Sequence, residues 1–482
     1  MKKIGIVLLI VMFMFLYGCK PKEKLTISFE TNGGSSIEDA VIDSALDFVL
    51  PDEPVKEGYT FAGWYSDIDL TIKYDLNTIL TKDITLYADW ETIGLEYELI
   101  NDGTEYSVNK GNASELTEIQ IPNIKDGKKV TRITDFKKCL NLKEIIIPNS
   151  INKIDSWSFL ENVALENIIL PDGISSIDAY TFSKCTSLKS IMIPDSVVFI
   201  SKEAFNECDS IEYEIYEGLK YLNNWIMGVE DTSVSEVSLK ETTVGIGPNA
   251  FWDCVNLTNI TFPDTLKAIS ERAFTNCYSL TEITLPDNFE RIGDFAFEGC
   301  TTIKSIFISK KTKELSGIPW DLEEINVDPQ NEFYTSIDGV LYNKEITELI
   351  RFPNYKEVIE FTVPETVIDI GPSAFSDNKF VKKVTLQNGV ETIGDGAFFR
   401  CGALEEIILS DTLKKIDDYA FAYYEKLKEI IIPRSVEYIG ANLFIGYVSG
   451  LKIYCEIEAQ PEGWDEFWNP NDELVVWGYT RE

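Results

Sequence analysis

The apolar residues of this chain recur with a single period over most of its length. A unit of 23 residues repeats as Leu-x-x-Ile-x-Ile-Pro-Asp-x-ψ-x-x-Ile-x-x-x-Ala-Phe-x-x-Cys-x-x, in which ψ is aliphatic. The phenylalanine of the unit falls at Phe136, Phe159, Phe182, Phe205, Phe251, Phe274, Phe297, Phe375, Phe398, Phe421 and Phe444. Eight of the ten gaps between these positions are 23 residues, one is 46 and one is 78. Such a period predicts a stack of repeated supersecondary units, because one unit alone cannot bury its apolar face.

The pattern of apolar positions changes within each unit. Ile145 and Ile147 alternate with an outward position, which predicts a short strand with two inward side chains. Pro148 then ends the strand and turns the chain. A second apolar pair follows at Ile151 and Ile154, and the Ala-Phe segment has the spacing of one helical or 3₁₀ turn. One strand per unit, stacked in parallel at about 4.8 Å, predicts a mainly β solenoid with a long parallel sheet on one face.

The repeated segments resemble the BspA-type leucine-rich repeats of bacterial surface proteins. The resemblance covers residues 95–455 and implies a leucine-rich-repeat solenoid of roughly fifteen turns, about 70 Å long at the strand spacing. The spans 206–250 and 309–371 depart from the plain repeat. Within them, Asn223-Asn224-Trp225 and Asp338-Gly339 are typical of strand–turn–strand variants. We expect these variants to replace repeat turns without breaking the stack.

Residues 25–91 do not follow the 23-residue period and read as short strands between turns. Three motifs stand out in this span: Asn32-Gly33-Gly34, Gly58-Tyr59-Thr60-Phe61-Ala62-Gly63-Trp64-Tyr65 and Leu86-Tyr87-Ala88-Asp89-Trp90. They resemble the Listeria–Bacteroides repeat, a small β-grasp-like module of internalin-type surface proteins. The resemblance implies a spacer that precedes the solenoid, and a second binding module is the alternative.

The first residues have the features of a secretion signal. Two lysines precede an apolar run that ends at Tyr17 and is too short to span a bilayer comfortably. The segment Leu16-Tyr17-Gly18-Cys19 resembles the lipobox of bacterial lipoproteins. This implies that residues 1–18 are cleaved, that Cys19 is lipidated, and that residues 19–24 tether the protein to the extracellular face of the membrane. The alternative is an uncleaved short membrane anchor.

Both ends of the repeat region are atypical, as the terminal units of a stack must be. Tyr97–Ile100 and Glu105–Val108 flank Asn101-Asp102-Gly103, which predicts a capping hairpin. Residues 456–482 are read as an aromatic C-terminal cap, with a sugar-stacking platform as the alternative. The aromatic residues of this segment include Trp464, Phe467, Trp468 and Trp477.

Composition excludes several classes of function. The formal net charge is −37 and the chain has no histidine. The acidic excess argues against nucleic-acid binding and against attachment to anionic lipid, both of which need lysine and arginine. Without histidine there is no Ser-His-Asp or Cys-His catalysis, and no Gly-rich phosphate loop is present. We therefore expect no enzyme activity, no catalytic residues and no cofactor.

Cysteine occupies a fixed repeat position. Seven of the eight cysteines beyond Cys19 follow a repeat phenylalanine by three residues, at Cys139, Cys185, Cys208, Cys254, Cys277, Cys300 and Cys401. This favours buried thiols that hydrogen-bond to the turn backbone. No Cys-x-x-Cys pair and no histidine support a metal site, and disulfides between neighbouring turns are the alternative. Asp or Asn after the proline of each unit predicts a turn residue, with calcium as the alternative.

The outward positions of the predicted strands suggest a contact surface. They are Ile146, Ile169, Met192, Ile215, Thr261, Thr284, Phe307, Thr385, Ile408 and Ile431. Strand propensity alone accounts for part of this series. A long apolar stripe with a polar rim, here including Glu282 and Glu406, also marks a partner site.

The predicted function is recognition at the cell surface. The resemblance implies adhesion to host proteins, matrix or other cells, with an extracellular protein as the partner and a lipid anchor in the membrane. Two alternatives remain open: a glycan-binding or nutrient-capture lipoprotein, suggested by Trp225 and Trp468, and a structural coat protein.

Overall fold

The structure is a computed structural model that describes residues 24–43, 48–75, 77–446, 450–470 and 474–481. The predicted signal peptide, the lipidation site Cys19 and the first part of the tether lie outside these residues. The chain divides into two compact units, Met1–Val197 with Glu203–Ile211, and Val198–Lys202 with Glu212–Glu482. Regular structure in the described residues is β, apart from one 3₁₀ turn at Asn101–Gly103. Strands are numbered β1 to β39 in chain order.

The first unit begins with a small mixed sheet. Its strands are β1 (Leu25–Glu30), β2 (Ala40–Ile42), β3 (Tyr59–Tyr65) and β4 (Ile84–Thr92). The order is β2-β1-β4-β3, with β1 and β4 parallel and the two outer pairs antiparallel. Ile27, Leu86 and Trp90 are fully buried in the core of this sheet. The predicted module at residues 25–91 is therefore a folded β element.

The repeats of the first unit follow directly. Their strands are β5 (Glu96–Ile100), β6 (Glu105–Asn109), β7 (Glu118–Gln120), β8 (Ile124–Lys125), β9 (Lys128–Asp135), β10 (Glu144–Ile146), β11 (Lys153–Ile154), β12 (Asn167–Ile169), β13 (Ser176–Ile177) and β14 (Ser190–Met192). β5 and β6 form the predicted antiparallel hairpin. We call the first strand of each repeat, which a proline follows in many of the repeats, a front strand, and the two-residue strand after it a second strand. The front strands pair in parallel as β7 with β10 and β12 with β14.

The small sheet is joined to the first repeats by specific contacts. The Gln120 amide donates to Thr92 Oγ1 at 2.7 Å, and the Asn123 amide donates to the buried Asp89 carboxylate at 3.2 Å. Lys125 forms an ion pair with Glu91 at 2.8 Å. These contacts place both elements in one compact unit, so the module is packed against the first repeats.

Strands of the second unit fall into three groups. The front strands are β19 (Glu236–Val237), β21 (Asn259–Ile260), β24 (Ser305–Ile308), β26 (Glu324–Val327), β30 (Glu360–Thr362), β32 (Lys383–Thr385), β34 (Glu406–Ile408), β36 (Glu429–Ile432), β38 (Lys452–Cys455) and β39 (Leu474–Trp477). The second strands are β15 (Phe199–Ile200), β20 (Gly245–Ile246), β22 (Ala268–Ile269), β23 (Arg291–Ile292), β25 (Glu314–Leu315), β31 (Asp369–Ile370), β33 (Thr392–Ile393), β35 (Lys415–Ile416) and β37 (Tyr438–Ile439). Two meanders complete the unit: β16 (Glu214–Tyr216), β17 (Leu219–Leu222) and β18 (Trp225–Val229), then β27 (Tyr334–Ile337), β28 (Val340–Asn343) and β29 (Glu348–Arg351).

The two meanders are the strand–turn–strand variants that the sequence predicts. β17 and β18 pair antiparallel across Asn223-Asn224, and β27 and β28 pair antiparallel across Asp338-Gly339. Asp338 and Gly339 both have positive φ, 49° and 73°, as a tight hairpin turn requires. Each meander then begins a parallel series of second strands, so the variants do not interrupt the stacking within this unit.

The longest sheets form from the second strands. Seven strands run in the order β16-β17-β18-β20-β22-β23-β25, and seven more in the order β27-β28-β29-β31-β33-β35-β37. The front strands form only ladders of two or three strands. The sequence places the long sheet at the front strands, and this placement is wrong. Most second strands bury one of their two residues, as Ile292 and Ile393 are buried, and this is enough to hold a continuous ladder.

The repeat phenylalanines stack ring on ring inside the turns. Phe274 is fully buried, and its ring centroid lies 5.0 Å from that of Phe251 and 5.3 Å from that of Phe297, with interplanar angles of 2° and 5°. In the first unit, the rings of Phe159 and Phe182 are 5.3 Å apart. The stacked units that the 23-residue period predicts are therefore confirmed.

The segment around each phenylalanine is a run of tight turns, which we call a turn ribbon, and not a helical turn. Residues two before and two after the phenylalanine have positive φ, for example Trp157 (69°) and Glu161 (61°) around Phe159. The Phe159 amide donates to the Thr181 carbonyl of the next turn at 2.9 Å, whereas the Leu160 amide donates back to the Trp157 carbonyl at 3.1 Å. The expected 3₁₀-type bonds are present, but left-handed residues alternate with them and prevent a helix.

The C-terminal segment closes the apolar core of the second unit. Trp464 and Trp468 are each 4% exposed, and the Trp468 ring lies 6.1 Å from that of Phe444. β38 and β39 add two parallel strands beside β36. This arrangement fits the predicted cap over residues 456–482. It also removes the sugar-platform alternative for these two tryptophans, because their faces are covered.

Candidate binding surface

The outward side chains of the front strands form the surface that we call the front face. In β10 and β12, Ile145 and Ile168 are buried, whereas Ile146 and Ile169 are 49% and 68% exposed. Alternation in a pleated strand produces this split, because successive side chains point to opposite faces. The chain has a net charge of −37. Exposed isoleucine side chains in a row are not needed to keep such a chain soluble, so the row is a candidate contact surface.

Several predicted positions lie side by side in the first unit. Ile169 is directly opposite Met192 in the β12–β14 ladder, and Met192 is 53% exposed. Ile146 lies opposite Gln120, a buried residue that the sequence analysis did not include. Ile146, Ile169 and Met192 therefore form the apolar part of the front face in this unit.

The front face of the second unit is more mixed. Phe307 is 46% exposed and lies between Thr284 and Asn326 in its pairings. Thr385 lies opposite Ile408, which is 39% exposed.

Burial varies among the remaining members of the predicted series. Thr261 and Thr284 are exposed, whereas Thr385 and Ile431 are only partly exposed. The apolar row is therefore discontinuous in this unit.

One predicted member belongs to another sheet. Ile215 is 48% exposed, but its strand β16 pairs antiparallel with β17 and not with a front strand. Its inclusion in the front-face series is therefore wrong. Thr362 and Tyr454 do lie on front strands, opposite Thr385 and Ile431, and sequence reasoning missed them. The segment Phe361-Thr362-Val363-Pro364 has the apolar-x-apolar-Pro pattern that would have revealed the first of them.

Carboxylates border the apolar residues. Glu282 is exposed, and Glu406 is exposed and forms an ion pair with Lys383 at 2.8 Å. Because the Lys383 ammonium donates a hydrogen bond to the Glu406 carboxylate, the pKa of Lys383 lies above its usual value. Glu118 and Glu144 lie directly opposite each other in the β7–β10 ladder. Together with burial, their negative charge raises the pKa of the nearby Tyr59.

The cysteines are structural. All eight cysteines within the described residues are buried and free. Cys185 Sγ donates to the Phe159 carbonyl at 3.2 Å, and Cys277 Sγ donates to the Phe251 carbonyl in the same geometry at 3.2 Å. Burial raises the pKa of the Cys139 thiol to about 11, which keeps it protonated. The predicted role, a thiol that satisfies the turn backbone, is confirmed at these positions.

The structure also bears on the other candidates from the sequence, namely the Pro-Asp turns, metal sites, the glycan-binding tryptophan and membrane-spanning segments. Pro-Asp turns close through the backbone, as where the Ile174 amide donates to the Pro171 carbonyl at 3.1 Å. Within the described residues, no cluster of three or more acidic or cysteine side chains could hold a metal ion. Trp225, which suggested glycan binding, is 1% exposed and cannot stack on a sugar. Among the residues that the structure describes, no helix has the length and apolarity needed to span a bilayer.

Comparison with known proteins gives two family matches. Residues 111–227, 229–319 and 349–458 match the BspA type leucine rich repeat region in six copies. Residues 26–89 match the Listeria-Bacteroides repeat domain. Together the repeat matches cover well over half of the chain.

Alignments with individual relatives cover a smaller part of the chain than the family matches do. A protein of Evansella cellulosilytica named as a Gly-rich membrane protein is 35% identical over 117 residues, which is 24% of this chain and 13% of that protein. The chain thus spans a small part of this relative.

Among solved structures, a leucine rich cell surface protein of Faecalibacterium prausnitzii A2-165 is 26% identical with a TM-score of 0.38, covering 81% of this chain and 94% of that one. The pneumococcal vaccine antigen PcpA is 22% identical with a TM-score of 0.37, covering 80% and 85%.

Proposed function

Because the chain belongs to the family of BspA type leucine-rich-repeat proteins, we propose that it is a cell-surface lipoprotein that binds other proteins through its front face. Proteins of this family are typically surface proteins, and family and fold are generally non-enzymatic. The proposal includes export, cleavage before Cys19 and lipidation of that residue. Adhesion to host proteins, matrix or other cells is the role that this arrangement would serve.

The observation that carries the proposal is the exposure of large apolar side chains on paired strands. Ile169 and Met192 lie opposite each other and are each more than half exposed. Full burial of such a side chain contributes about 1.5–3 kcal/mol, and a protein partner that covers the exposed part would recover roughly half of this for each residue. Affinity in protein interfaces depends on a few such anchors and not on total area.

A binding assay with front-face variants tests the proposal. The purified chain from residue 20 onward, with the small β module retained because it packs on the first repeats, is offered a panel of extracellular-matrix proteins and a glycan array. The test variant carries Glu282→Lys, Glu406→Lys and Ile408→Asp. If the front face is the site, it should bind matrix protein at least about tenfold more weakly, the loss expected when interface anchors and rim charges change.

A matched control keeps the change in charge but moves it off the front face. Glu365, Ile368 and Glu437 are exposed and lie outside the front strands. The variant Glu365→Lys, Ile368→Asp and Glu437→Lys should bind as the unmodified chain does. Equal affinity of a folded test variant would refute the front-face site, and binding to glycans alone would refute protein recognition. Circular dichroism establishes that each variant is folded.

A further inference from the structure

The front face of the first unit contains an opening between two consecutive repeats. In several other repeats, the residue after the front strand donates its amide to the next front strand: Leu170 to Met192 at 3.0 Å, Val363 to Thr385 at 3.0 Å and Leu386 to Ile408 at 2.9 Å. The equivalent bond between Ile147 and Ile169 is absent in the described residues, and β10 and β12 belong to separate ladders. Backbone groups that a continuous sheet would pair therefore face one another without bonding.

The opening is limited to the strands. The second strands of the same two repeats, β11 and β13, also belong to different ladders. On the turn side the repeats are closed, because the Phe159 amide donates to the Thr181 carbonyl at 2.9 Å and the Glu161 amide donates to the Ser183 carbonyl at 2.9 Å. The Phe159 and Phe182 rings remain stacked at 5.3 Å. The two repeats are thus hydrogen-bonded to each other at the turns, whereas their front strands lie in separate ladders.

A groove occupies this opening at the surface. Ile146 and Ile169 form its apolar sides, and it is also lined by Lys143, Glu118, Glu144 and Glu166. Three carboxylates thus face one lysine. Ile169 is the most exposed of the large apolar residues predicted for the front face, at 68%.

Two of the carboxylates are not neutralised by an ion pair. Glu118 and Glu144 lie opposite each other in the β7–β10 ladder, and neither has a cation within ion-pair distance in the described part of the chain. The nearby Lys56 ammonium instead contacts the Asn32 carbonyl at 3.3 Å and Gln120 Oε1 at 3.5 Å. Glu166 differs, because it is paired with Lys189 at 2.8 Å. Like charges directly opposite each other on a sheet are unfavourable unless a cation joins them.

We propose that this groove binds an extended segment of a partner protein in which basic and apolar side chains alternate. The partner's apolar side chains would pack between Ile146 and Ile169, and its lysine or arginine would lie over Glu118 and Glu144. The inference deepens the proposed function and rests on it, since it names the class of partner that the front face takes.

Model peptides test this specificity. Short peptides of equal length, alternating lysine with valine, glutamate with valine, or lysine with glycine, are titrated against the chain from residue 20 onward and followed by fluorescence anisotropy. The lysine–valine peptide should bind, and the other two should bind at least about tenfold more weakly, because one lacks the charge match and the other the apolar contact. Equal binding of the lysine–glycine peptide would overturn the proposal, because it would indicate general attraction to an acidic chain.

Variants of the groove locate the binding. Glu118→Lys with Glu144→Lys should abolish binding of the lysine–valine peptide, and Ile169→Asp should weaken it. The control Glu365→Lys with Glu437→Lys makes the same change in charge outside the front strands and should leave the affinity unchanged. If both double variants weaken binding equally, the groove is not the site.

Failure of this inference is distinguishable from failure of the proposed function. If Glu118→Lys with Glu144→Lys retains capture of matrix proteins while the Ile408→Asp variant loses it, the front face binds proteins but not through this groove. If no variant changes capture of matrix proteins, the proposed function itself fails.

Discussion

At the scale of single residues, the interior of both units is organised by stacked phenylalanines. A ring inside a series lies between the rings of the preceding and following turns. Phe398, for example, lies 4.8 Å from Phe375 and 5.2 Å from Phe421, and its amide donates to the Ala420 carbonyl of the next turn at 2.8 Å. A side chain in this position contributes both apolar burial and ring contacts to two neighbours. Loss of one ring should therefore affect two interfaces between turns.

Truncation of a stacked phenylalanine should be costly. Phe274→Ala removes a fully buried ring that contacts Phe251 and Phe297, and should lower the free energy of unfolding by about 3–5 kcal/mol. Phe307→Ala is the control, since that ring is 46% exposed, and should cost well under half as much. Urea unfolding followed by circular dichroism measures both, and equal losses would contradict the stacked interior.

A second residue-scale prediction concerns pH. Burial raises the pKa of Asp89 from 3.8 to about 6, although the Asn123 and Trp90 amides that donate to its carboxylate oppose the shift. A carboxyl whose pKa is raised on folding favours the folded state at low pH. That contribution is present below about pH 4 and is lost as the pH rises through about 6.

Asp89→Asn should remove this dependence. The variant should be more stable than the unmodified chain at pH 8, by at most about 3 kcal/mol for a shift of two pKa units, and the difference should shrink towards pH 4. Melting temperatures across this range test the prediction. The exposed Asp52→Asn serves as a control for loss of one charge. A difference that grows towards low pH would contradict the sign.

The positions of the stacked phenylalanines could be predicted from the sequence because their spacing is regular. One stacked phenylalanine is absent from the predicted series. Phe352 lies 23 residues before Phe375, stacks on it at 4.9 Å and donates its amide to the Ala374 carbonyl. It was missed because Arg351-Phe352-Pro353 lacks the Ala-Phe-x-x-Cys context. Burial of Asp89 could not be predicted, because its partner Asn123 belongs to a different segment.

At the scale of elements, turns with left-handed residues replace the helical segment expected of a leucine-rich repeat unit. Bulky residues such as Tyr180 and Phe295 occupy positive φ at these turns, 58° and 55°. The bonds of alternate amides to the next turn offset the local strain. The left-handed conformation at these turns is hard to predict from residue type, because asparagine and glycine occur at only some of the equivalent positions, such as Asn249 and Gly396.

The hairpin turns of the two meanders offer a matched test of glycine. Gly218 and Gly339 both have positive φ, 79° and 73°, but a Cβ on Gly218 would meet nothing within 4 Å, whereas one on Gly339 would lie 2.8 Å from Glu324 Cβ. Gly218→Ala should cost about 1 kcal/mol from backbone strain alone.

Gly339→Ala should cost clearly more than Gly218→Ala, because contact with Glu324 is added to the strain. Urea unfolding of both variants measures the difference. Equal losses would mean that Asp338-Gly339 does not lie against β26 as the structure has it.

Element positions were predictable where a local signal exists. Asp338-Gly339 and Asn223-Asn224 predict hairpins, and both are present. The placement of the long sheet could not be predicted, because Ile145 and Ile154 carry equally good strand signals. Only the pairing between turns decides which ladder is continuous. The opening between β10 and β12 has no sequence signal for the same reason.

At the scale of the whole molecule, the chain combines a repeat region, a small β module and a strong negative charge. The two family matches were predictable because their motifs are dense and specific. Packing of the small β module on the first repeats could not be predicted, because Thr92, Gln120 and Lys125 belong to neither family's motif. The net charge of −37 would complement the basic segment that we propose for the groove beside Glu118 and Glu144.

The proposed lipid anchor gives a prediction in cells. Cys19→Ser removes the only proposed acylation site, so the protein should move from the membrane fraction to the soluble fraction or the medium, since stable anchoring needs more than one acyl chain. Fractionation and immunoblotting measure the distribution. A Cys19→Ser protein that sediments with membranes as before would contradict lipidation and favour an uncleaved anchor.

The most direct test of front-face recognition is hydrogen exchange of the chain with and without the protein that it captures. Amides of the front strands, above all those at 144–147 and 167–170, should gain protection when the partner is bound, while amides of the turn ribbons around Phe159 and Phe274 should not change. Protection confined to the turn ribbons, or to the small β module, would contradict the account.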